Sequence, residues 1–132
     1  MQTTLTATGP VAVDVAWERY ADLDRWPQWA PQISGVDAPA RRLEPGLRGT
    51  VRAAGVVHVA FEVVDVDEAA RTWSWNVRLG PIRMHLEHGV GPAAPDARHP
   101  TRTWLRTTGP APVVLPYAPL ALIALHSLLL DR

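Results

Sequence analysis

Between Ser34 and Thr108 the chain alternates and turns, and no stretch there is patterned for a helix. Six segments read as strands: Ser34–Leu43, Leu47–Ala54, Val56–Val66, Thr72–Leu79, Ile82–Val90 and Thr101–Thr108. The separators EPG, AAG, DEAAR and LGP are short and turn-like, and a longer GPAAPDARHP precedes the last strand. Connections this short pair consecutive strands antiparallel, as a meander. A sheet of that size has an apolar face, and the remainder of the chain must cover it.

Before these strands, TTLTATGPV predicts one more, Thr3–Ala7, closed by Gly9-Pro10. Asp14 is the expected N-cap of a helix from Val15 to about Asp22, in which Trp17, Tyr20, Ala21 and Leu23 recur near helical spacing. A second short helix is expected to hold Trp26 and Trp29 and to end at Pro31. After the strands, Thr107 to Leu130 contains no formally charged residue, but Pro110, Pro112, Pro116 and Pro119 interrupt it. That leaves Leu120–Leu130 as uninterrupted helix, about 16 Å long against a hydrocarbon core of roughly 30 Å. It therefore reads as a buried helix with no membrane insertion, and as the only sizeable element left to cover the sheet. The whole chain, 1–132, reads as one α+β domain without repeats or linkers.

Charge and composition exclude several functions. The 13 basic residues balance 13 acidic ones, so no overall field favours nucleic acid or an anionic surface. Every basic residue is arginine and cysteine is absent, which removes Schiff-base chemistry, thiol nucleophiles, disulfides and thiolate metal sites. The N-terminal MQTTLTATGPV lacks the pattern of a signal peptide, so a cytoplasmic location is expected. No GxxxxGK[ST] motif is present, and none of the three serines lies in a GxSxG setting.

With this order of elements, the stretch VAWERYADLDRWPQWAPQISGV resembles the helix-grip superfamily of START domains, Bet v 1-type proteins and polyketide cyclases. It has an aromatic on the first helix, then an acidic residue, then a Trp-Pro-x-Trp turn. LEPGLRGTVR, ARTWSWNVR and MHLEHGV support the resemblance, which spans essentially the whole chain. It implies a seven-stranded curved antiparallel sheet gripping a long C-terminal helix, two short helices after the first strand, and a ligand cavity between sheet and helix. It further implies a small hydrophobic partner, polyketide-like or lipid, and no cofactor; a homodimer is compatible with it. Cyclases of this kind often carry a cavity arginine on the strand that here reads VVHVAFEVVDV, and this chain has none there. Arg52 or Arg78 would replace it only through a bulge; otherwise both are surface charges.

Strand alternation assigns the cavity face. Trp73, Trp75, Val77 and Leu79 share one side of their strand, and Val57, Val59, Phe61 and Val63 one side of theirs. In IRMHLEHGV the inward set is Met84, Leu86, His88 and Val90, with Arg83, His85 and Glu87 outside. His85 and His88 face opposite ways, so they cannot chelate one metal ion. His88 is a titratable group on an apolar surface: either a buried histidine satisfied by a neighbour, or the general acid–base of a cyclase/dehydratase-like enzyme. The expected ligand-lining set is Trp29, Phe61, Trp73, Trp75, Met84, Leu86, Tyr117, Ile123 and His126. His126 either lines the opposite wall or sits at the carbonyl end of the last helix. Trp26 is expected to be structural and Trp29 to lie nearer the ligand. Three functions follow: such an enzyme, a non-catalytic lipid or metabolite carrier or sensor, and an interaction protein resembling co-chaperone activators.

Overall fold

A computed structural model describes residues 1–53 and 57–131. Strand β1 (Gln2–Gly9) leads to helix α1 (Val13–Ala21), a 3-10 turn (Leu23–Arg25) and helix α2 (Trp26–Trp29). Strands β2 (Ile33–Asp37), β3 (Arg48–Ala53), β4 (Val57–Asp67), β5 (Thr72–Leu79), β6 (Ile82–Pro92) and β7 (Thr101–Thr108) follow, and helix α3 (Ala111–Leu128) ends the fold. The seven strands form one antiparallel sheet in the order β1-β7-β6-β5-β4-β3-β2. The meander of β2 to β7 is thus as expected, and β1 closes it by pairing with β7. The AAG separator, with Ala54 as a strand end and Val56 as a strand start, lies outside the described residues.

Three expected boundaries need correction. Strand β2 stops at Asp37, well before Leu43. Pro39 has no N–H to give a ladder, and the chain beyond it leaves the sheet: Arg41 O accepts from Leu23 N, and Leu43 N donates to Ala21 O. Helix α1 begins at Val13 behind Ala12, which offers no side-chain cap. Asp14 instead stands in the first turn, where its carboxylate suits the positive end of the helix and pairs with Arg71.

The third correction is α3, which runs straight through Pro116 and Pro119 for 18 residues. Each proline withholds one bond, from the carbonyls of Pro112 and Leu115 respectively. Those four residues lie on the exposed side of the helix, where water can replace the lost donors. At ~1.5 Å per residue α3 is about 27 Å long, and by length and composition it is apolar enough to cross a bilayer. Its inner stripe is nevertheless spoken for: Val114, Ala121, Ala124, Leu125 and Leu128 are buried. Its last turn is tied down by Arg19 of α1, whose guanidinium donates to the carbonyls of Leu128 and Leu130 at 2.6 and 2.7 Å. A cation there satisfies orphan acceptors at the negative end of the helix.

The end of β1 meets the end of α3 with no room to spare. A Cβ on Gly9 would lie 2.4 Å from Leu129 Cβ and 2.7 Å from Leu129 O. Gly9→Ala is expected to cost about 1–3 kcal/mol through overpacking, read as a Tm lowered by several degrees. Gly91→Ala is the control, since its added methyl would meet nothing within 4 Å. Equal melting of the two variants would mean that this junction yields freely.

Candidate functional site: an apolar cavity between the sheet and α3

Sheet and helix enclose a cavity of about 280 Å³. Its floor is supplied by inward residues of β5 and β6, as the alternation predicts: Trp73, Trp75, Met84, Leu86 and His88. Helix α2 contributes Trp26 and Trp29, and α3 contributes Val113, Tyr117, Ala121, Ala124 and Leu125. The two alanines matter sterically, because larger side chains on that stripe would fill the space. Leu79, 45% exposed, lies on the side open to solvent.

Of the expected lining residues, Trp29, Trp73, Trp75, Met84, Leu86, His88 and Tyr117 are brought together here. Phe61, Ile123 and His126 are not among the lining residues. Phe61 is buried one layer away, with its ring centroid 5.7 Å from that of Trp75 and 6.2 Å from that of Trp26. Ile123 and His126 are exposed, since the buried stripe of α3 runs through Ala121, Ala124, Leu125 and Leu128 and turns them outward. A helix apolar on nearly every side gives no hydropathic cue to its phase. Tyr117, expected just before the helix, stands within it.

The division of labour expected of Trp26 and Trp29 is not seen. Both line the cavity, and both brace the helix pair: Trp26 Nε1 donates to Tyr20 O and Trp29 Nε1 to Arg19 O, each at 2.8 Å. Trp26 was missed as a wall residue, although its spacing from Trp29 on one short helix was the available signal. Arg52 and Arg78 are not among the lining residues either; Arg52 is ion-paired with Asp37 at 3.1 Å.

His88 is the titratable group at the centre of the floor. Strand register sets Trp73 directly opposite it, and the two rings stack at 4.5 Å between centroids with planes 8° apart. Trp75 Nε1–H donates to His88 Nε2 at 3.2 Å, so that nitrogen is an acceptor and the proton of the neutral ring is on Nδ1. His88 Nδ1 lies 3.4 Å from the Tyr20 hydroxyl, which is 2.7 Å from Thr103 Oγ1. Thr103 in turn donates to Gly89 O at 2.8 Å. Because an indole can only donate and a carbonyl can only accept, every proton in this row has a fixed direction, from Trp75 toward Gly89. Burial drives the His88 pKa from 6.5 down to about 3 and pushes the Tyr20 phenol up. Burial also pushes Tyr117 up to about 12. At neutral pH none of these groups carries charge. His85, by contrast, lies on the outer face with Nδ1 2.6 Å from Asn76 Oδ1.

The fold has counterparts among known proteins. A family model described as "Polyketide cyclase / dehydrase and lipid transport" matches residues 1–124. A structural-genomics protein from Nitrosospira multiformis superposes with a TM-score of 0.79 at 15% identity, over 98% of this chain and 94% of that one. The crystal structure of Ara h 8.0201 superposes with a TM-score of 0.69 at 16% identity, over 95% of this chain and 94% of that one. At such identities the likeness speaks for the fold alone, the Bet v 1 helix-grip. No curated protein matches the sequence.

Proposed function

Because the chain belongs to the polyketide cyclase/dehydrase and lipid transport family, we propose that it binds a small, largely apolar molecule in the cavity between its sheet and α3, holding it without changing it. The observation that carries this reading is the space itself. At ~24 cal/mol per Å³ of unfilled apolar volume, a sealed void of about 280 Å³ would forgo packing of about 7 kcal/mol, an upper bound for a cavity open on the side of Leu79. That is comparable to the net stability of a whole domain. A bound apolar molecule restores those contacts. A purely surface-acting interaction protein gives no reason for Ala121 and Ala124 to leave the space open.

The enzyme reading assigns His88 the proton transfers, and its place in the cavity wall favours it. Its chemistry is less favourable: Nε2 already accepts from Trp75, and a conjugate acid with a pKa of about 3 makes a weak base at neutral pH. Binding without proton transfer accounts for more of the geometry.

Native mass spectrometry of the protein taken from its own host tests both. The wild type is expected to carry a co-purifying apolar species. Ala124→Leu, which fills the wall, is expected to lose it by at least tenfold in occupancy with its fold retained by circular dichroism. His88→Ala is expected to release the same chemical species as the wild type. A different species released by His88→Ala, as from unprocessed substrate, would favour the enzyme. No bound species, together with no binding of any apolar compound added to the purified chain, would remove the cavity reading.

A further inference from the structure

Resting on that reading of the cavity, we propose that the β5–β6 hairpin tip and the first turn of α3 dock on an anionic phospholipid bilayer, where the cavity exchanges its apolar ligand. The place is the open side of the cavity. Leu79 and Ile82 end the two strands, line the cavity, and are joined by Gly80-Pro81 in a tight two-residue turn with Gly80 at φ 58°. Leu79, Gly80 and Pro81 are exposed and Ile82 is half-buried. The start of α3 lies alongside: a Cβ on Gly109 would stand 2.8 Å from Met84 Cγ and 3.3 Å from Arg83 O. Val113, in the first turn of the helix, is half-buried and lines the same cavity.

The charges beside this apolar tip are all of one sign. Arg78 and Arg83 stand directly opposite each other across the β5–β6 ladder, about 5 Å apart at Cβ. Both are exposed, and alternation turns them to the outer face, beside the mouth and outside the cavity. Like charges so placed repel, yet among the described residues neither arginine is in an ion pair, whereas Arg25, Arg41, Arg42, Arg48, Arg52, Arg71 and Arg106 are. Sequence leaves them no local counter-ion, since no Asp or Glu occurs from Thr72 to Leu86 or from Thr101 to Leu130. Glu62, two positions beyond the β4 partner of Arg78, is held by Arg48 at 2.9 Å.

An apolar tip flanked by unpaired cations is complementary to phosphate-bearing headgroups above hydrocarbon. A second copy of the chain is not, because a twofold contact through the tip would bring four arginines together. Charge over the whole chain is balanced, so the attraction is local and fades within a Debye length. It therefore turns this end toward the bilayer and no other, with the mouth facing the lipid. No helix needs to insert, and an apolar ligand can pass between bilayer and cavity with little exposure to water.

Vesicle co-sedimentation tests the proposal, with phosphatidylcholine alone and with phosphatidylcholine containing about 30% phosphatidylserine. The wild type is expected to bind the anionic vesicles at least tenfold more tightly than the neutral ones, the effect of roughly two arginines at such a surface. About 0.5 M salt is expected to remove most of that preference. In Arg78→Gln/Arg83→Gln the preference is expected to fall to within about threefold, while the co-purifying species stays at wild-type occupancy, since neither side chain lines the cavity. Leu79→Ser is expected to weaken binding to both vesicles severalfold.

Equal wild-type binding to the two vesicles would overturn the proposal, and this comparison stands even where a variant does not fold. An unchanged preference in the double arginine variant would overturn the patch, and unchanged binding by Leu79→Ser the apolar contact. Full competition by soluble glycerophosphoserine at the same headgroup concentration, or capture by polyglutamate in place of vesicles, would overturn the bilayer as the occupant. Failure to bind either vesicle by protein that carries a co-purifying apolar species would overturn the docking alone. Vesicle binding by protein that carries none and takes up no added apolar compound would overturn the cavity reading and leave the docking surface.

Discussion

Trp26→Ala is expected to lower folding stability by about 3–5 kcal/mol, the usual range for truncating a fully buried aromatic. The indole is 1% exposed and joins α2 to the sheet. Its ring centroid lies 5.2 Å from that of Trp75, 5.6 Å from Trp73, 6.2 Å from Phe61 and 6.4 Å from Trp29. Truncation therefore removes the common neighbour of four aromatic rings and enlarges an existing void, which surrounding side chains are poorly placed to fill. It also strips Tyr20 O of its donor. Urea denaturation at pH 7 measures the effect, and a loss below about 1 kcal/mol would show that the aromatic cluster closes over the gap. Trp29→Ala, at 6% exposure and the edge of the cluster, is the natural comparison.

A second large effect concerns acid. The folded chain holds His88 neutral, with a pKa near 3 against 6.5 for a free side chain. Between those values the unfolded chain binds a proton that the folded chain refuses, so stability rises with pH across the window and is lost as pH falls through it. At ~1.4 kcal/mol per pKa unit, the full depression amounts to an order of 5 kcal/mol, of which about 2 kcal/mol is gone by pH 5. Tyr20, the titratable neighbour on α1, stays neutral throughout and adds no slope. His88→Leu removes the titrating group, so its denaturation curves at pH 7 and pH 5 are expected to differ by about 2 kcal/mol less than those of the wild type. Parallel pH dependence in the two proteins would mean that His88 is protonated within the fold.

Much of the architecture was legible because it depends on period. Alternation along β5 and β6 assigned Trp73, Trp75, Met84, Leu86 and His88 to the inner face, and that is where they lie. What period could not supply was the phase of α3, where leucine, isoleucine and valine stand on both sides and alanine marks the buried stripe. Ile123 was misplaced for that reason, and of the two positions open to His126 the structure has the one in the last turn of α3, exposed at its carbonyl end. Phe61 was assigned the correct face, but face alone does not separate a residue that lines a cavity from one that backs it. Nor was the row from Trp75 to Gly89 readable in advance, since its members come from α1, β5, β6 and β7 and meet only through register. Pro116 and Pro119 misled in the other direction: a proline on the wet side of a helix costs less than one facing a core, and sequence alone does not show which side is wet.

Those two prolines also set the mechanics of the cavity. The sheet side is a continuous ladder of seven strands. The helix side lacks two rungs, in the turns whose inner flank carries Val113 and Tyr117. Downstream, Arg19 clamps the last carbonyls of α3, and Leu128 and Leu129 are wholly buried. Stiffness is therefore distributed unevenly around the space: one wall is a hydrogen-bonded sheet, and the other is a rod that borders the cavity from Val113 to Leu125, anchored at its C-terminal end and missing its two rungs toward its N-terminal end.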